Sequence, residues 1–302
     1  MQFLIYILAY PLLWIISKLP FKALYVLSDF VYLLVYYLVG YRKSTVRSNL
    51  KKAFPEKSDA QRLDIEKKSY RHLCDMFLEM IKTMSISNDE IQKRFVFTNL
   101  EVYRAVEKQG KSIALLLPHY ASYEWVISMN QHVNYTGYAI YKRIENKYFD
   151  KLVKKIRSRF QAELITTKET IPMIERNDSM GTPGLYGFAS DQSPKASKIY
   201  HWTEFFGIKT PVVTGSEMLI KKFDMNVLFL RVTKVKRGHY QATFETLFDD
   251  PKSVADYQIT DEFMRRVEKQ IRNAPEYYLW THKRWKINKS KVATRKSPKI
   301  PS

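Results

Sequence analysis

The run SIALLL at residues 112–117 constrains the fold of this chain more than any other feature. It is short and aliphatic and has polar groups on both sides, which is typical of a strand buried on both faces of a parallel or mixed sheet. Pro118 cannot donate to a strand ladder, so the strand is predicted to end there. His119 would then lie at the carboxyl edge, where open α/β sheets bind their ligands.

Predicted strands and helices alternate along the rest of the chain. Strands are expected at 112–117, 136–141, 163–166, 182–191, 227–232 and 240–245. Helices are expected at 44–54, 60–84, 101–109, 121–129, 146–160, 170–176, 214–223 and 260–273. This order predicts an α/β fold with a mixed central sheet flanked by helices.

The N-terminus contains two apolar runs, at residues 2–17 and 23–39. Each is close to the minimum of about 17–25 residues that a bilayer span requires. A charged leader and a small-residue cleavage site are missing, which argues against a signal peptide. Five basic residues between 42 and 52 follow, and they predict that the rest of the protein faces the cytoplasm. Either one run spans or both lie in the interface as a helical hairpin, although two core helices of a soluble protein would also be apolar.

These patterns divide the chain into three parts. Residues 1–40 are predicted to form a membrane-spanning or interfacial helical anchor, 41–286 a catalytic domain, and 287–302 a basic disordered tail. The chain has 302 residues and a single cysteine, Cys74, which excludes an internal disulfide and any multi-cysteine metal cluster.

The net charge of +20 predicts an anionic partner: a nucleic acid, an acidic protein or an anionic membrane surface. Residues 147–159 carry six basic residues and one acid, and they could contact an acidic protein or lipid headgroups, or be a solvated helix face. A membrane-tethered nucleic-acid-binding protein is the alternative from another class. No RNA-recognition signature, helix-turn-helix pattern or Cys/His finger supports it.

His119 and Glu124 form an H-x4-E pattern at the end of the first strand. A histidine can take a proton from a hydroxyl at neutral pH, and a carboxylate beside it fixes its tautomer. A capping histidine followed by a solvated helix glutamate would give the same spacing.

Five motifs in order resemble the lipid A biosynthesis acyltransferases, the lauroyl/myristoyl transferase family. They are VRSNLKKAFPE at 46–56, HYASYE at 119–124, YKRIEN at 141–146, DQSP at 191–194 with FFG at 205–207 and PVVT at 211–214, and PEYYLWTHKRWK at 275–286. The His–acid motif also resembles that of glycerolipid acyltransferases. The family usually has a small residue, often Gly-Asn-Trp, between the histidine and the acid, where this chain has Tyr-Ala-Ser-Tyr, with Tyr120 and Tyr123 expected to crowd the site.

This resemblance implies a membrane-bound O-acyltransferase in which His119 is the general base on an acceptor hydroxyl and Glu124 orients it. The implied donor is the thioester of an acyl carrier protein, or acyl-CoA, and the implied acceptor is a lipid A precursor. The same chemistry on a lysophospholipid, aminolipid or glycolipid remains an alternative. No cofactor is expected, because the histidines lack paired ligand spacing and no nucleotide-binding loop is present.

Further residues receive roles from the same resemblance. Lys142 or Arg143 would stabilise the oxyanion or bind an acceptor phosphate, or would be a solvated pair. Asp191 and Gln192 are expected to shape the pocket. The other predicted substrate-binding residues are Phe205 and Phe206, in an acyl-chain groove or plain core, and His282 and Arg284, on a phosphate or fixing the C-terminal segment.

Overall fold

The computed structural model describes residues 2–287. Almost all of the predicted basic tail, residues 288–302, therefore lies outside the described residues. The N-terminal quarter of the chain is helical: α1 (Gln2–Lys18), α2 (Phe21–Leu33, continued by a π-helical turn at Leu34–Val39), α3 (Lys43–Ala53) and α4 (Asp59–Lys82). α4 begins at a capping box, in which Ser58 and Gln61 satisfy each other's backbone N–H groups.

A seven-stranded mixed sheet forms the centre of the molecule, which confirms the α/β prediction. Its strands are β1 (Phe95–Phe97), β2 (Ile113–Leu117), β3 (Thr136–Tyr141), β4 (Glu163–Thr166), β5 (Gly184–Ala189), β8 (Asn226–Lys236) and β9 (His239–Phe248). Their spatial order is β1-β9-β8-β2-β5-β3-β4. Neighbours pair in parallel except β8 and β9, which form an antiparallel hairpin. All five β2 residues are buried, as its aliphatic sequence predicts.

The remaining α-helices lie before, between and after the strands along the chain. They are α5 (Asn88–Arg94), α6 (Leu100–Glu107), α7 (Lys147–Arg157), α8 (Thr170–Ser179), α9 (Gly215–Lys222) and α10 (Gln258–Asn273). α1 and α2 pack against α4, and α1 also packs against α7 through Phe3 and Tyr6.

Two segments differ from the sequence prediction. The segment predicted as a helix at 121–129 is a 3-10 helix at Tyr123–Gln131, which buries Glu124, Trp125, Ser128 and Met129. A second, two-stranded sheet, β6 (Trp202–Phe205) and β7 (Ile208–Pro211), contains the FFG motif. Phe206 and Gly207 form its turn, both with positive φ (56° and 67°), as hairpin turns of type I′ require.

The N-terminal helices expose most of their apolar side chains. Within residues 2–287 one helix, Phe21–Val39, is long and apolar enough to cross a bilayer by length and composition, and only 22% of it is buried. Its inner face nevertheless makes polar contacts beside the buried Leu24: Tyr25 donates to Glu79, Ser28 donates to Asp75, and Tyr36 donates to Glu66 on α4. α2 is thus bonded along one side to a charged helix of the main body.

Candidate active site

His119 and Asp191 meet at the carboxyl edge of the sheet. His119 follows β2 and Asp191 follows β5, and these two strands are parallel neighbours. The carboxyl ends of adjacent parallel strands lie side by side, so residues that are 72 positions apart come into contact.

The His119–Asp191 contact is short and directional. The His119 Nδ1 atom lies 2.6 Å from Asp191 Oδ1, and the same oxygen accepts the His119 backbone N–H at 3.1 Å. Asp191 is 1% exposed and His119 is 20% exposed, so the carboxylate is buried and the ring reaches solvent. An acceptor at Nδ1 places the ring proton there and leaves Nε2 with a free lone pair.

Both pKa values in this pair are shifted toward the charged forms. Burial is the largest single effect on the pKa of His119 and lowers it, but attraction to Asp191, the hydrogen bond to Asp191 and attraction to Glu124 together outweigh burial and raise the pKa above its usual value. Burial alone raises the pKa of Asp191, but attraction and hydrogen bonds from His119 hold it below its usual value. At neutral pH Asp191 is therefore an anion that stabilises the imidazolium form of His119.

Glu124 has a different partner from the one that the sequence suggests. It accepts a bidentate pair of bonds from Arg157 at the end of α7, at 2.9 Å from Nε and 2.5 Å from Nη2. The structure gives no hydrogen bond between Glu124 and His119, although Glu124 raises and Arg157 lowers the pKa of His119 electrostatically. The Glu124–Arg157 pair therefore ties the catalytic-edge loop to α7.

The loop after His119 has a strained turn and an aromatic wall. Ala121 has a φ of 50°, in the left-handed region that favours glycine. The Tyr123 ring lies edge-on to the imidazole of His119, with centroids 5.0 Å apart. Ala121 N–H donates to the Tyr277 carbonyl, and Leu279 N–H donates to the His119 carbonyl. The C-terminal signature therefore packs along the His119 loop.

His282 and Arg284 hold that C-terminal segment beside Asp191. His282 Nε2 accepts the Ser193 N–H at 3.1 Å, and burial lowers the pKa of His282 to about 4, so its ring is neutral. Arg284 is 1% exposed and donates to the Pro211 carbonyl at 2.9 Å. Within residues 2–287 these contacts are internal to the fold, which supports the segment-fixing alternative for both residues.

The other predicted substrate residues lie farther from His119. Lys142 and Arg143 are exposed after β3, two places from β2 in the sheet, and neither forms a hydrogen bond or ion pair with a described residue. Gln192 is partly exposed beside Asp191. Phe205 and Phe206 are buried and pack with Phe54, Trp280 and Trp285; a role for them in an acyl groove stays a prediction.

Sequence reasoning missed the partnerships of Asp191 and Arg157. Asp191 follows a predicted strand directly, as His119 does, and this shared position was the available signal. Arg157 is hidden among the basic residues of α7; its position seven residues after the buried Asp150 places it on the inner face of that helix. No group of three or more His, Cys, Asp or Glu side chains in residues 2–287 is arranged to bind a metal.

Comparison with known proteins shows the family to which the chain belongs. Residues 1–287 match the family model of bacterial lipid A biosynthesis acyltransferases. The chain is 25% identical to the lipid A biosynthesis palmitoleoyltransferase of Escherichia coli K12, over 91% of this chain and 88% of that protein. It is 23% identical to the lauroyltransferase of the same organism, over 94% and 92%, and 22% identical to the myristoyltransferase, over 80% and 74%. The chain therefore belongs to the bacterial lipid A biosynthesis acyltransferase family and is an acyltransferase.

Proposed function

We propose that this acyltransferase moves a fatty acyl group from an acyl carrier thioester to a hydroxyl of a lipid A precursor, with His119 as general base and Asp191 as its orienting partner. The 2.6 Å bond between His119 Nδ1 and Asp191 Oδ1 carries this assignment. It fixes the tautomer in which Nε2 can accept a proton.

Nε2 removes the proton from the acceptor hydroxyl as its oxygen attacks the thioester carbonyl carbon. The resulting tetrahedral intermediate collapses with loss of the carrier thiolate, which takes the proton back from Nε2. Asp191 stays ionised throughout and stabilises the transient imidazolium. No protein nucleophile is required, and the base is regenerated at the end of each cycle.

Arg157 is the donor that we propose for the oxyanion. Glu124 holds its Nε and Nη2, while Nη1 has no hydrogen-bond partner in residues 2–287. A guanidinium fixed in this way needs no reorganisation during the reaction, which is the main requirement for electrostatic stabilisation. Lys142 and Arg143, exposed and unpaired at the same edge of the sheet, remain proposals for binding an acceptor phosphate.

The carrier-docking surface that we propose is the outer face of α7. Lys147, Lys151 and Lys155 are exposed one turn apart, and none forms an ion pair with a described residue. Like charges at this spacing destabilise a helix, so an acidic partner such as acyl carrier protein would offset their repulsion.

Membrane association is proposed for the outer faces of α1 and α2. Side chains such as Leu8, Val26 and Leu38 are 70%, 71% and 79% exposed, a large apolar surface for a water-soluble protein. Because the inner face of α2 is bonded to charged side chains of α4, an interfacial position is favoured over a span. We place residues 1–40 as this anchor, 41–286 as the catalytic domain, and the whole at the cytoplasmic face of the inner membrane.

A transfer assay in detergent tests the proposal. Acyl carrier protein and CoA thioesters are offered as donors, and a lipid A precursor, a lysophospholipid and a hydroxyacyl aminolipid as acceptors. His119→Ala should lower kcat with the preferred pair by about 10²–10⁴-fold, while the exposed control Arg176→Gln should leave it unchanged. Full activity in His119→Ala would contradict the proposed mechanism. Transfer only to another acceptor would contradict the proposal that the acceptor is a lipid A precursor.

A further inference from the structure

A polar cavity lies beside the His119 loop and is lined by neither His119 nor Asp191. It has a volume of about 680 Å³. Its walls come from four parts of the chain: α2, one face of α4, the β8–β9 hairpin and the segment after α10. This volume is within the range that small-molecule sites occupy, roughly 300–1,000 Å³.

The cavity connects the apolar face of α2 with the catalytic loop. On one side its rim includes Leu33, which is 51% exposed. On the other side its wall includes Tyr277, whose carbonyl accepts the Ala121 N–H at 2.9 Å. A molecule with apolar chains along α2 would therefore place its polar end in the cavity, next to the His119 loop.

The inner acids of the cavity are already neutralised. Arg237 donates to both Asp29 and Asp75, and Lys234 lies 3.5 Å from Asp75 and 3.4 Å from the ring of His72. Their charges compensate one another within the wall, so they do not repel an anion.

The two cations at the rim are available to a ligand. Arg71 is exposed, stacks over the Tyr32 ring at 5.1 Å, and forms no ion pair in residues 2–287. Lys68, one turn earlier, pairs only with Asp64, and both of these side chains are more than half exposed. Such a pair is weak. Glu276, in the segment after α10, is the remaining acid of the lining and also attracts Lys68 electrostatically.

We propose that this cavity binds the phosphate-bearing headgroup of an anionic lipid, with Arg71 and Lys68 contacting the phosphate. A guanidinium recognises phosphate through two parallel bonds, and the lysine adds a point charge beside it. This inference rests on the proposed function, in which the catalytic loop faces a membrane lipid. The headgroup belongs either to the acceptor itself or to a neighbouring phospholipid, which presents the same chemistry.

Titration calorimetry with short-chain phosphatidylglycerol, kept below its micellar concentration, tests the site directly. Arg71→Gln and Lys68→Gln should each weaken binding about fivefold, the effect of one cation near an anionic lipid surface. The control Arg176→Gln, an exposed and unpaired arginine on α8, should not change it. Short-chain phosphatidylcholine, which has no net charge, should bind at least fivefold more weakly to the wild-type protein. Equal binding of the two lipids, or equal binding by all variants, would overturn the proposal.

The transfer assay separates the two sources of the headgroup. A higher KM for the acceptor in Arg71→Gln, together with competition by phosphatidylglycerol, would support the acceptor's own phosphate. An unchanged KM with weaker binding to vesicles of equal phosphatidylglycerol and phosphatidylcholine would support a neighbouring lipid. If wild-type protein shows no transfer but binds phosphatidylglycerol in an Arg71-dependent way, the proposed function fails and the cavity assignment stands.

Discussion

Breaking the Glu124–Arg157 pair should destabilise the protein far more than breaking an exposed pair. The Glu124 and Arg157 side chains are 9% and 23% exposed, and two bonds of 2.9 and 2.5 Å join them. Removing one partner of a buried pair leaves a charge without compensation, which costs about 3–5 kcal/mol. Because the Arg157 side chain stays partly exposed to solvent, we expect Glu124→Gln to lower the free energy of unfolding by about 2–4 kcal/mol.

Thermal unfolding in detergent, followed by tryptophan fluorescence, measures this cost. At about 2 °C per kcal/mol for a chain of this size, Glu124→Gln should lower the Tm by about 4–8 °C. The double variant Glu124→Gln/Arg157→Gln should recover most of the loss, since no lone charge remains buried. Asp64 pairs with Lys68, and these side chains are 60% and 54% exposed. The free energy of unfolding of Asp64→Asn should therefore stay within about 0.5 kcal/mol of the wild-type value.

The same variants also test which carboxylate orients His119. Glu124 raises and Arg157 lowers the pKa of His119, so removing both should leave the acid limb of the pH–rate profile near its wild-type position. A Tm for Glu124→Gln equal to that of Asp64→Asn, or strictly additive effects in the double variant, would refute the reasoning.

Three further predictions follow from the same geometry. In Asp191→Asn the pKa of His119 loses the attraction that raises it, so the acid limb of kcat/KM should move to lower pH while the plateau falls; an unmoved limb would exclude Asp191 as the partner. Ala121 has a φ of 50°, which glycine adopts more easily, so Ala121→Gly should leave the free energy of unfolding unchanged or raise it by up to about 1 kcal/mol. The control Ala53→Gly, at the end of α3, should lower the free energy of unfolding by about 1 kcal/mol, because glycine is a poor helix former. Arg237→Gln removes the bonds from the hairpin to Asp29 and to the buried Asp75. It should lower the free energy of unfolding by about 1–2 kcal/mol, less than the cost of breaking a fully buried pair because Arg237 itself is partly exposed. Proteolysis should then cut first near residue 20, and cleavage unchanged from wild type would contradict this.

Local sequence was sufficient where structure depends on neighbouring residues. The aliphatic run before Pro118 predicted β2 and the position of His119, because burial on both faces requires an unbroken apolar strand. Turn and capping residues placed the bounds of α4 within two residues. The alternation of strands and helices gave the mixed sheet, which the structure confirms.

The partners of His119 and Glu124 were decided only by the tertiary structure. Glu124 is five residues from His119, and proximity along the chain suggested a contact, yet the 3-10 turn directs Glu124 to Arg157 on α7. Asp191 reaches His119 because β5 pairs with β2, and no local signal encodes which of several parallel strands become neighbours. Strand order depends on how the crossover helices pack over the whole sheet, so the sequence by itself identified His119 as the candidate base, and the fold determined that Asp191 is its hydrogen-bond partner.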